Sequence, residues 1–384
     1  KEKPKLSAYI NQINHCLERQ KEILKELKIE ENEFLNKHPK IKAKTTALIT
    51  KYADVFTPKS EGKVGVTDLV TMELKMKPGS AIRQKVRPLN PTMKSSLDEQ
   101  IADWIENGVI TNSVSEFSSP LVPVKKKDGE VRWCVDFRAV NNQIISDSFP
   151  IPNIEDLVQK AAGNKVYSAL DCFAAYNHIR VAPDSRKYTA FSTPDGHYEF
   201  LRMPFGLKTA VSIYSRFVAM AMSGISPDHI GIYLDDMLLY TQDAQQHLTV
   251  LEEILQRHRE AGLMLKPSKT FLFQTKVQYL GHMLSEKGIE MVPDYLHKIL
   301  TWPSPRNRKE LIHMLGLFGY YRAFIPKFAQ LTNSMNAVRG EKTEFSWTPE
   351  REKDFQDLKT QFKITNGRTF PDYKSAEPFI LTID

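Results

Sequence analysis

The stretch 229–241, HIGIYLDDMLLYT, places an acidic break between two apolar runs. This pattern predicts a β-hairpin that presents Asp235 and Asp236 at its tip. Adjacent carboxylates repel each other, and burying both as anions requires a neutralising cation. Taken alone, the stretch also fits a solvated Asp-Asp turn.

A second acidic position follows another strand-like run. Asp171 ends the run 166–171, VYSALD, and lies 64 positions before Asp235 (235 − 171), so only tertiary folding can bring them together. Three carboxylates supply the hard oxygen ligands that Mg²⁺ prefers. Two such ions can activate a primer 3′-hydroxyl and stabilise a departing pyrophosphate, which is the chemistry of nucleotidyl transfer. By itself, Asp171 could equally be a helix N-cap after a strand.

From about residue 66 the chain alternates strand-like and helical runs, which predicts a mixed helix and sheet fold. Two further strand-like runs are LVPVKKK (121–127) and VRWCVDF (131–137). Helical periodicity is expected over 95–107, 211–222, 244–261 and 295–328, with breaking residues at 302–305.

Composition narrows the class of protein. The 384 residues carry a net charge of +7 with a pI near 9.0, which suggests a polyanionic partner. No apolar run approaches the ~20 residues of a membrane span, and the first residues lack the apolar core of a signal peptide. We therefore expect a cytoplasmic protein.

Cys16, Cys134 and Cys172 lack CxxC spacing, which fits reduced thiols better than a disulfide frame or a zinc site.

The first 65 residues are expected to form a charged helical extension and linker. A rough helical stripe among Lys and Glu is formed by Ile10, Ile13, Leu17, Ile23 and Leu24. A solvated helix or a tether explains this stripe as well as a partner site does. The segment 59–65, KSEGKVG, is typical of a flexible joint.

Seven motifs occur in one order along the chain. They are LVPVKKKDGEVRWCVDFRAVN, YSALDCFAAYNHI, LRMPFGLKTA, YLDDMLLY, LKPSK, YLGHMLSEKGI and MLGLFGYYRAFI. This series resembles the reverse transcriptases of gypsy-type LTR retrotransposons and, more distantly, those of retroviruses. The resemblance implies an α+β fold, a right-hand polymerase with fingers, palm and thumb and an antiparallel palm sheet.

The resemblance also implies a division into domains. After the extension 1–65, we expect fingers over 66–145 and 181–209, palm over 146–180 and 210–286, thumb over 287–344, and a connection with the truncated start of RNase H over 345–384.

Asp171, Asp235 and Asp236 match the family's three metal-binding carboxylates, which implies two Mg²⁺ ions, for which Mn²⁺ could substitute. Lys269, in LKPSK, matches a lysine that could protonate the leaving pyrophosphate.

The resemblance also implies a dNTP site. Its expected residues are Lys126, Arg132, Cys172, Tyr176, Phe205 and Gly206. Lys126 and Arg132 match cations that hold the triphosphate, although the run Lys125–Lys127 leaves open which lysine does so. Tyr176 matches a steric gate beneath the sugar, with a core aromatic as the alternative. Phe205 offers a face for packing, and Gly206 would allow close backbone approach.

Primer and template contacts are expected at Tyr233, Tyr279, Leu280, Gly281, Ile312, Gly316 and Tyr320. The motif Tyr279-Leu280-Gly281-His282 matches the family's hairpin that grips the primer terminus. Ile312, Gly316 and Tyr320 are spaced i, i+4 and i+8 and share one helix face. In the family, this thumb helix lies along the minor groove of the nascent duplex; tight helix–helix packing is the alternative role for Gly316.

His178, Val211 and Thr270 depart from the family pattern, which commonly has glutamine, proline and cysteine there. None of the three is a metal ligand. The resemblance implies an RNA- and DNA-templated DNA polymerase that acts within cytoplasmic virus-like particles on an RNA template, a DNA primer/template duplex and dNTPs. A homodimer and other Gag or Pol parts are further candidate partners.

Two alternatives remain. One is a catalytically weak or inactive polymerase-fold segment that binds nucleic acid or serves a particle as a structural part. The other is a DNA-only or template-independent nucleotidyl transferase.

Overall fold

The computed structural model describes residues 3–62, 64–79, 81–125, 129, 131–365 and 367–368, with side chains described from residue 14 to residue 365 within these ranges. The chain divides into two compact units. The first unit comprises Lys1–Asn153 and Val166–Gln274, and the second comprises Ile154–Lys165 and Thr275–Asp384.

Helices and strands alternate through the described residues, as the sequence predicts. The α-helices in chain order are α1 (Lys3–Glu26), α2 (Glu33–Lys37), α3 (Pro39–Lys51), α4 (Pro91–Glu106), α5 (Arg138–Gln143), α6 (Ile154–Ala161), α7 (Pro183–Arg186), α8 (Ala210–Ala221), α9 (Ala244–Ala261), α10 (Pro293–Thr301), α11 (Arg308–Tyr320), α12 (Phe328–Asn336) and α13 (Pro349–Ile364). The strands are β1 (Thr71–Met72), β2 (Ile110–Asn112), β3 (Leu121–Lys125), β4 (Val131–Val135), β5 (Val166–Asp171), β6 (Arg180–Val181), β7 (Phe191–Ser192), β8 (His197–Phe200), β9 (Ile230–Tyr233), β10 (Asp236–Thr241), β11 (Phe271–Gln274), β12 (Lys276–Tyr279), β13 (His282–Ser285), β14 (Gly288–Met291) and β15 (Gly367–Arg368).

The first unit is built around an antiparallel sheet of four strands in the order β11-β5-β10-β9. After its first residue, β10 consists of five consecutive buried residues, so both faces of this strand are covered. Helix α9 packs against β5 and β10. Two smaller groups of strands, β2-β8-β7 and the hairpin β3-β4, belong to the same unit. The predicted strands and the α+β character are therefore confirmed.

The N-terminal segment is helical, as expected, but it is not a solvated tether. Ile23 and Phe56 are fully buried in the same hydrophobic core as the central sheet. Arg19 donates hydrogen bonds to the carbonyl oxygens of Ala53 and Phe56, at 2.8 and 2.6 Å. The segment is therefore an integral part of the first unit, although Leu17 of the predicted stripe is 48% exposed.

The predicted joint at 59–65 is also more closely packed than its composition suggests. A Cβ atom added to Gly65 would lie 2.2 Å from the carbonyl oxygen of Gly262. Glycine is needed at position 65 because the two backbones approach each other closely there.

The second unit contains the antiparallel sheet β12-β13-β14-β15 and the helices α6 and α10–α13. The predicted helical stretch 295–328 forms α10 and α11 with a break between Thr301 and Arg308, where the sequence places its breaking residues. The side chain of Asn307 accepts the backbone N–H of Glu310 and so caps α11. Residues 369–384 of the predicted connection and start of RNase H lie outside the described residues.

Two further expectations concern membranes and cysteines. Among the described helices, none combines the length and the apolar composition needed to cross a membrane. The three cysteines, Cys16, Cys134 and Cys172, form no disulfide.

A buried polar network connects the central sheet to α9. The Nε2 atom of His247 lies 2.7 Å from the hydroxyl of Ser168, and its Nδ1 atom lies 3.0 Å from the hydroxyl of Thr241. The Ser168 hydroxyl also accepts the backbone N–H of Phe273. Burial lowers the pKa of His247 to about 3, so the imidazole is neutral in the folded protein at neutral pH.

We expect the free energy of unfolding to fall as the pH drops below about 6.5. Burial lowers the pKa of His247 to about 3 and contributes most to lowering those of His178 and His258 to about 4. The unfolded chain therefore binds protons that the native state excludes, at a cost of up to about 1.4 kcal/mol per pH unit for each histidine. Denaturant titrations between pH 7.5 and about pH 5 measure this slope.

His247→Gln should make that slope shallower, whereas His15→Gln, at an exposed position, should leave it unchanged. Equal slopes in the wild type and in His247→Gln would contradict the assignment.

Candidate active site

The three aspartates meet at one end of the central sheet. Strand β5 ends at Asp171 and β10 begins at Asp236, and the antiparallel register pairs these two residues directly. Directly opposed residues project from the same face of a sheet with their Cβ atoms about 5 Å apart. Asp235 precedes this pair in the turn, so the fold joins the two acidic segments that the sequence predicts to converge.

The turn itself has two residues. Tyr233 pairs with Asp236, which leaves only Leu234 and Asp235 between β9 and β10. Leu234 has a φ of +53°, a left-handed conformation that side-chain-bearing residues rarely adopt. The predicted hairpin is therefore confirmed, with backbone strain at the residue before the carboxylates. Tyr233, predicted to contact primer or template, lies beside Asp236 on the neighbouring strand.

The carboxylates lack full charge compensation. Burial, together with the charges of Asp236 and Asp171, raises the pKa of Asp235 to about 6. Burial also raises the pKa values of Asp171 and Asp236, while Lys269 opposes the shift in both. One carboxylate oxygen of Asp235, Oδ1, is buried without a hydrogen-bond partner among the described residues. An additional cation would neutralise part of the negative charge of these carboxylates.

The donor chemistry of these residues fits a divalent cation, but the side chains are not gathered around one point. Among the residues that the structure describes, no group of three or more His, Cys, Asp or Glu side chains is arranged to hold a metal ion as it stands. Asp171 instead has its Oδ2 atom 3.7 Å from the Nζ atom of Lys269. The carboxylate oxygen atoms of Asp171, Asp235 and Asp236 are the kind of ligand that Mg²⁺ prefers.

A pocket of about 400 Å³ lies beside the aspartates. Its walls include several predicted site residues, namely Arg132, Asp171, Cys172, Phe205, Asp235 and Lys269. Arg132 and Lys269 bring positive charge to the wall that contains the carboxylates. Such a pocket suits a ligand that carries both phosphates and metal ions.

Sequence reasoning missed Lys266, which also lines this pocket. Its backbone N–H donates to the carbonyl oxygen of Asp171 at 2.8 Å. Its positive charge opposes the rise in the pKa of the Asp171 carboxyl that burial causes. The motif LKPSK contains both lysines, so the two positive charges of this short motif were the available signal.

Aromatic side chains support one wall of the pocket. The guanidinium of Arg132 lies 4.4 Å from the ring centroid of Phe205, which is 39% exposed. The ring of Tyr176 also contacts Phe205, with 4.7 Å between centroids, and lies 5.0 Å from Tyr214. Gly206 adopts a φ of +91°, so the backbone conformation requires glycine there.

Tyr176 has features of both of its predicted roles. Its side chain is only 7% exposed, as expected of a core aromatic. Burial and the negative charge of Asp235 raise the pKa of Tyr176 to about 12, so the phenol is neutral and lies near the carboxylates. The residue contacts Phe205, which lines the pocket, but it is not itself among the lining residues.

Cys172 is one of the predicted site residues that line the pocket. Burial raises the pKa of Cys172 to about 12, so its thiol is neutral and contributes shape rather than charge. Lys126 lies outside the described residues. Lys125 ends β3, and Arg132 on β4 pairs with Val124, which confirms the predicted strand pair.

The three departures from the family pattern have structural roles. His178 is fully buried, and its ring nitrogens bond to the Ala175 carbonyl and the Met264 N–H. The hydroxyl of Thr270 donates to the carbonyl oxygen of Lys266. Val211 lies in the first turn of α8, which begins at Ala210 without a proline. None of these side chains replaces an acidic group of the site.

The remaining predicted contacts lie in the second unit. Tyr279 and His282 pair across a two-residue turn formed by Leu280 and Gly281. Ile312, Gly316 and Tyr320 lie on an exposed face of α11, as their spacing predicts. A Cβ atom at Gly316 would meet no described atom within 4 Å, so helix–helix packing does not explain this glycine.

Comparison with known proteins agrees with this architecture. The family model described as "Reverse transcriptase (RNA-dependent DNA polymerase)" matches residues 124–284. The Tf2-3 and Tf2-7 transposon polyproteins of Schizosaccharomyces pombe are 31% and 30% identical to the chain over 272 residues, which is 71% of this chain. The chain spans about a fifth (20%) of the length of these polyproteins.

Solved structures show the same fold. A foamy viral protease-reverse transcriptase in complex with double-stranded DNA superposes with a TM-score of 0.83 at 23% identity, covering 94% of this chain and 62% of that chain. The foamy viral enzyme in complex with an RNA/DNA hybrid gives a TM-score of 0.78 at 23% identity, covering 91% of this chain and 46% of that chain. The chain therefore has the retroviral polymerase fold and contains a reverse transcriptase (RNA-dependent DNA polymerase) domain of the kind found in LTR retrotransposon polyproteins.

Proposed function

We propose that the chain is an RNA- and DNA-templated DNA polymerase that extends a primer with dNTPs by two-metal nucleotidyl transfer. The observation that carries this proposal is the pairing of Asp171 with Asp236, with Asp235 in the adjoining turn. The three carboxylates lie beside a pocket whose wall contains positive charge. Anionic and cationic side chains are both required when metal ions and a triphosphate bind in one place.

The residues that would hold the metal ions are Asp171, Asp235 and Asp236. When bound, two Mg²⁺ ions activate the primer 3′-hydroxyl and stabilise the departing pyrophosphate, and Mn²⁺ could substitute. The raised pKa of Asp235 and its unpartnered buried oxygen support a cation at this position. Divalent metal ions are generally used by reverse transcriptases.

The chain's own cations would bind the triphosphate. Arg132 offers a planar fork of donors to phosphate oxygens, and its stacking on Phe205 limits the orientations of that fork. Lys269 is 61% exposed and close to Asp171, where it could donate a proton to the leaving pyrophosphate. Lys126 remains a proposed phosphate contact on the basis of the motif alone.

The pocket wall would also define the space for the nucleoside. Tyr176 would lie beneath the sugar and exclude a 2′-hydroxyl, since its ring supports Phe205 and lies near Asp235. Cys172 would contribute to the shape of the pocket, and Gly206 would allow the backbone to approach the nucleotide.

Residues of the second unit would bind the primer and template. The exposed face formed by Ile312, Gly316 and Tyr320 is flat at its centre because glycine has no side chain, which suits the backbone of a duplex. The turn Tyr279–His282 would contact the primer terminus. In the first unit, Tyr233 is a separate proposed contact to primer or template. The proposed domains are fingers (66–145 and 181–209), palm (146–180 and 210–286), thumb (287–344) and connection (345–384).

The likeness to structures solved with double-stranded DNA and with an RNA/DNA hybrid supports nucleic-acid partners for this chain. Similarity to transposon polyproteins supports a place within cytoplasmic virus-like particles, with other Gag and Pol parts or a second copy as protein partners.

Asp235→Asn should reduce the rate of primer extension by at least about a hundredfold, because it removes a charge that the metal ions require. Binding of the template-primer should change little. The assay is primer extension with dNTPs on RNA and DNA templates, with Mg²⁺ or with a chelator. Asp228→Asn, an exposed aspartate just before β9, is the matched control and should retain activity.

Extension by Asp235→Asn at the wild-type rate would contradict the active-site assignment. A wild-type chain that binds the template-primer but adds no nucleotide would favour the non-catalytic alternative. Addition without a template would favour a terminal transferase.

Tyr176→Ala should relax discrimination against ribonucleotides while DNA synthesis continues. Overpacking a rigid site costs about 1–3 kcal/mol, and each 1.36 kcal/mol is tenfold in rate. Discrimination should therefore fall by roughly five-fold to about 150-fold. The measurement is the ratio of kcat/KM for one matched pair of deoxyribo- and ribonucleotides. Tyr176→Phe keeps the ring and should keep the ratio. If Tyr176→Ala lowers synthesis with both sugars equally, the residue is a core aromatic.

The affinity for template-primer should fall steeply with salt, because basic side chains displace counterions from phosphates. Lys309→Gln should reduce the slope of log affinity against log salt by about 1. This lysine is exposed three residues before Ile312 on the face of α11 described above. Lys287→Gln, in the turn between β13 and β14, is the exposed control. An affinity independent of salt would exclude a surface that follows the phosphate backbone.

A further inference from the structure

The turn between β12 and β13 has a strained backbone. Tyr279 pairs with His282, so the turn consists of Leu280 and Gly281 alone. Both residues have left-handed φ values, +44° for Leu280 and +74° for Gly281. Glycine adopts this conformation readily, but leucine does so at a cost in free energy. External contacts must therefore help to maintain this turn.

Two neighbouring tyrosines at the end of α11 supply these contacts. The hydroxyl of Tyr320 donates to the carbonyl oxygen of Leu280 at 2.6 Å. The hydroxyl of Tyr321 donates to the carbonyl oxygen of Gly281 at 2.7 Å. Both carbonyl groups of the two-residue turn are therefore bonded to the same helix end.

The environment of the two tyrosines differs. Tyr321 is 1% exposed, whereas Tyr320 is 44% exposed and lies on the proposed duplex-binding face. The ring of His282 lies 5.4 Å from that of Tyr320 and 5.6 Å from that of Tyr321. A Cβ atom at position 281 would lie 3.1 Å from the hydroxyl oxygen of Tyr320, so the turn fits closely against the helix end.

We propose that Tyr321, assisted by Tyr320, is a positioning residue that fixes the Leu280-Gly281 turn to helix α11. The inference rests on the proposed function, in which the turn contacts the primer terminus and the exposed face of α11 contacts the duplex. The two hydrogen bonds make the turn and the helix one rigid element. A duplex bound to the helix therefore presents its primer terminus to the turn in a fixed register.

Neither tyrosine needs to touch the reacting atoms for this role. If the contacts that hold the turn are lost, the primer terminus is held less accurately. Small errors in its position lower the rate of nucleotide addition, because the reacting atoms must be aligned. Loss of the Tyr321 hydroxyl should therefore affect the rate of nucleotide addition and the retention of the primer, but not the affinity for the incoming dNTP.

Tyr321→Phe tests the role because it removes only the hydroxyl. We expect the maximal single-turnover rate to fall about fivefold, the effect of losing one hydrogen bond. The dNTP concentration at half-maximal rate should stay within about twofold, and fewer nucleotides should be added per binding event when a trap is present. Backbone amides of 279–283 should exchange their hydrogens faster than in the wild type.

Tyr240→Phe is the matched control. Tyr240 is also 1% exposed and its hydroxyl donates to a backbone carbonyl, that of Pro227, at 3.0 Å. The two variants should lose similar thermal stability, but Tyr240→Phe should keep the wild-type rate and product length.

The outcomes separate the two levels of inference. Tyr321→Phe behaving like Tyr240→Phe in rate, product length and hydrogen exchange would overturn the positioning role while leaving the proposed function intact. A wild-type chain that adds no nucleotide would overturn the proposed function and with it the positioning role. If the rate of Tyr321→Phe falls and its half-saturating dNTP concentration rises equally, the positioning role is overturned.

Discussion

The like-charged pair formed by Asp171 and Asp236 depends on the register of the ladder between β5 and β10. A shift of one residue would turn one of the two carboxylates to the opposite face of the sheet. A slip would also move Asp236 towards positions occupied by the five buried residues that follow it, where a carboxylate is costly. The network of His247, Ser168 and Thr241 adds polar partners that only one alignment satisfies. The hydrophobic core thus holds together charges that would otherwise separate.

The repulsion is compensated only in part by the protein's own cations. Lys266 and Lys269 come from the segment before β11, and Arg132 comes from the β3-β4 hairpin. Their positive charges line the same pocket as the carboxylates, yet burial still raises the pKa values of all three aspartates. Because the negative charge of the carboxylates is not fully neutralised, the site favours the binding of further cations. The free energy of the core therefore keeps a group of anions close together.

The second unit contains a different kind of constraint. Its turn at Leu280 and Gly281 is strained and is held by hydroxyl groups, whereas its helices pack through rings such as Phe318, Phe355 and Phe362. Hydrogen bonds are directional, so they specify the position of a turn more closely than apolar contact does. Among the described residues, no atom lies within 4 Å of a Cβ built at Gly316, so the centre of the exposed face of α11 carries no side chain.

Local patterns in the sequence determined much of this structure. Alternating apolar runs predicted the β9-β10 hairpin and the strands β3, β4 and β5, because side-chain periodicity and turn residues are local properties. Helical periodicity predicted α4, α8 and α9 within a few residues, and Trp302–Pro305 marked the break between α10 and α11. The acidic residues of the site were also identifiable, since their spacing and order are typical of one family.

Tertiary structure alone decided the rest. The N-terminal segment was expected to be solvated because its composition is charged, but burial of Ile23 depends on a partner surface distant in sequence. Gly65 was expected to be flexible, yet the approach of Gly262 decides its role. The place of Lys266 in the pocket and the hydrogen bond from Tyr321 to the Gly281 carbonyl are likewise long-range contacts. A sequence records which groups are available, whereas their distances depend on the packing of the whole chain.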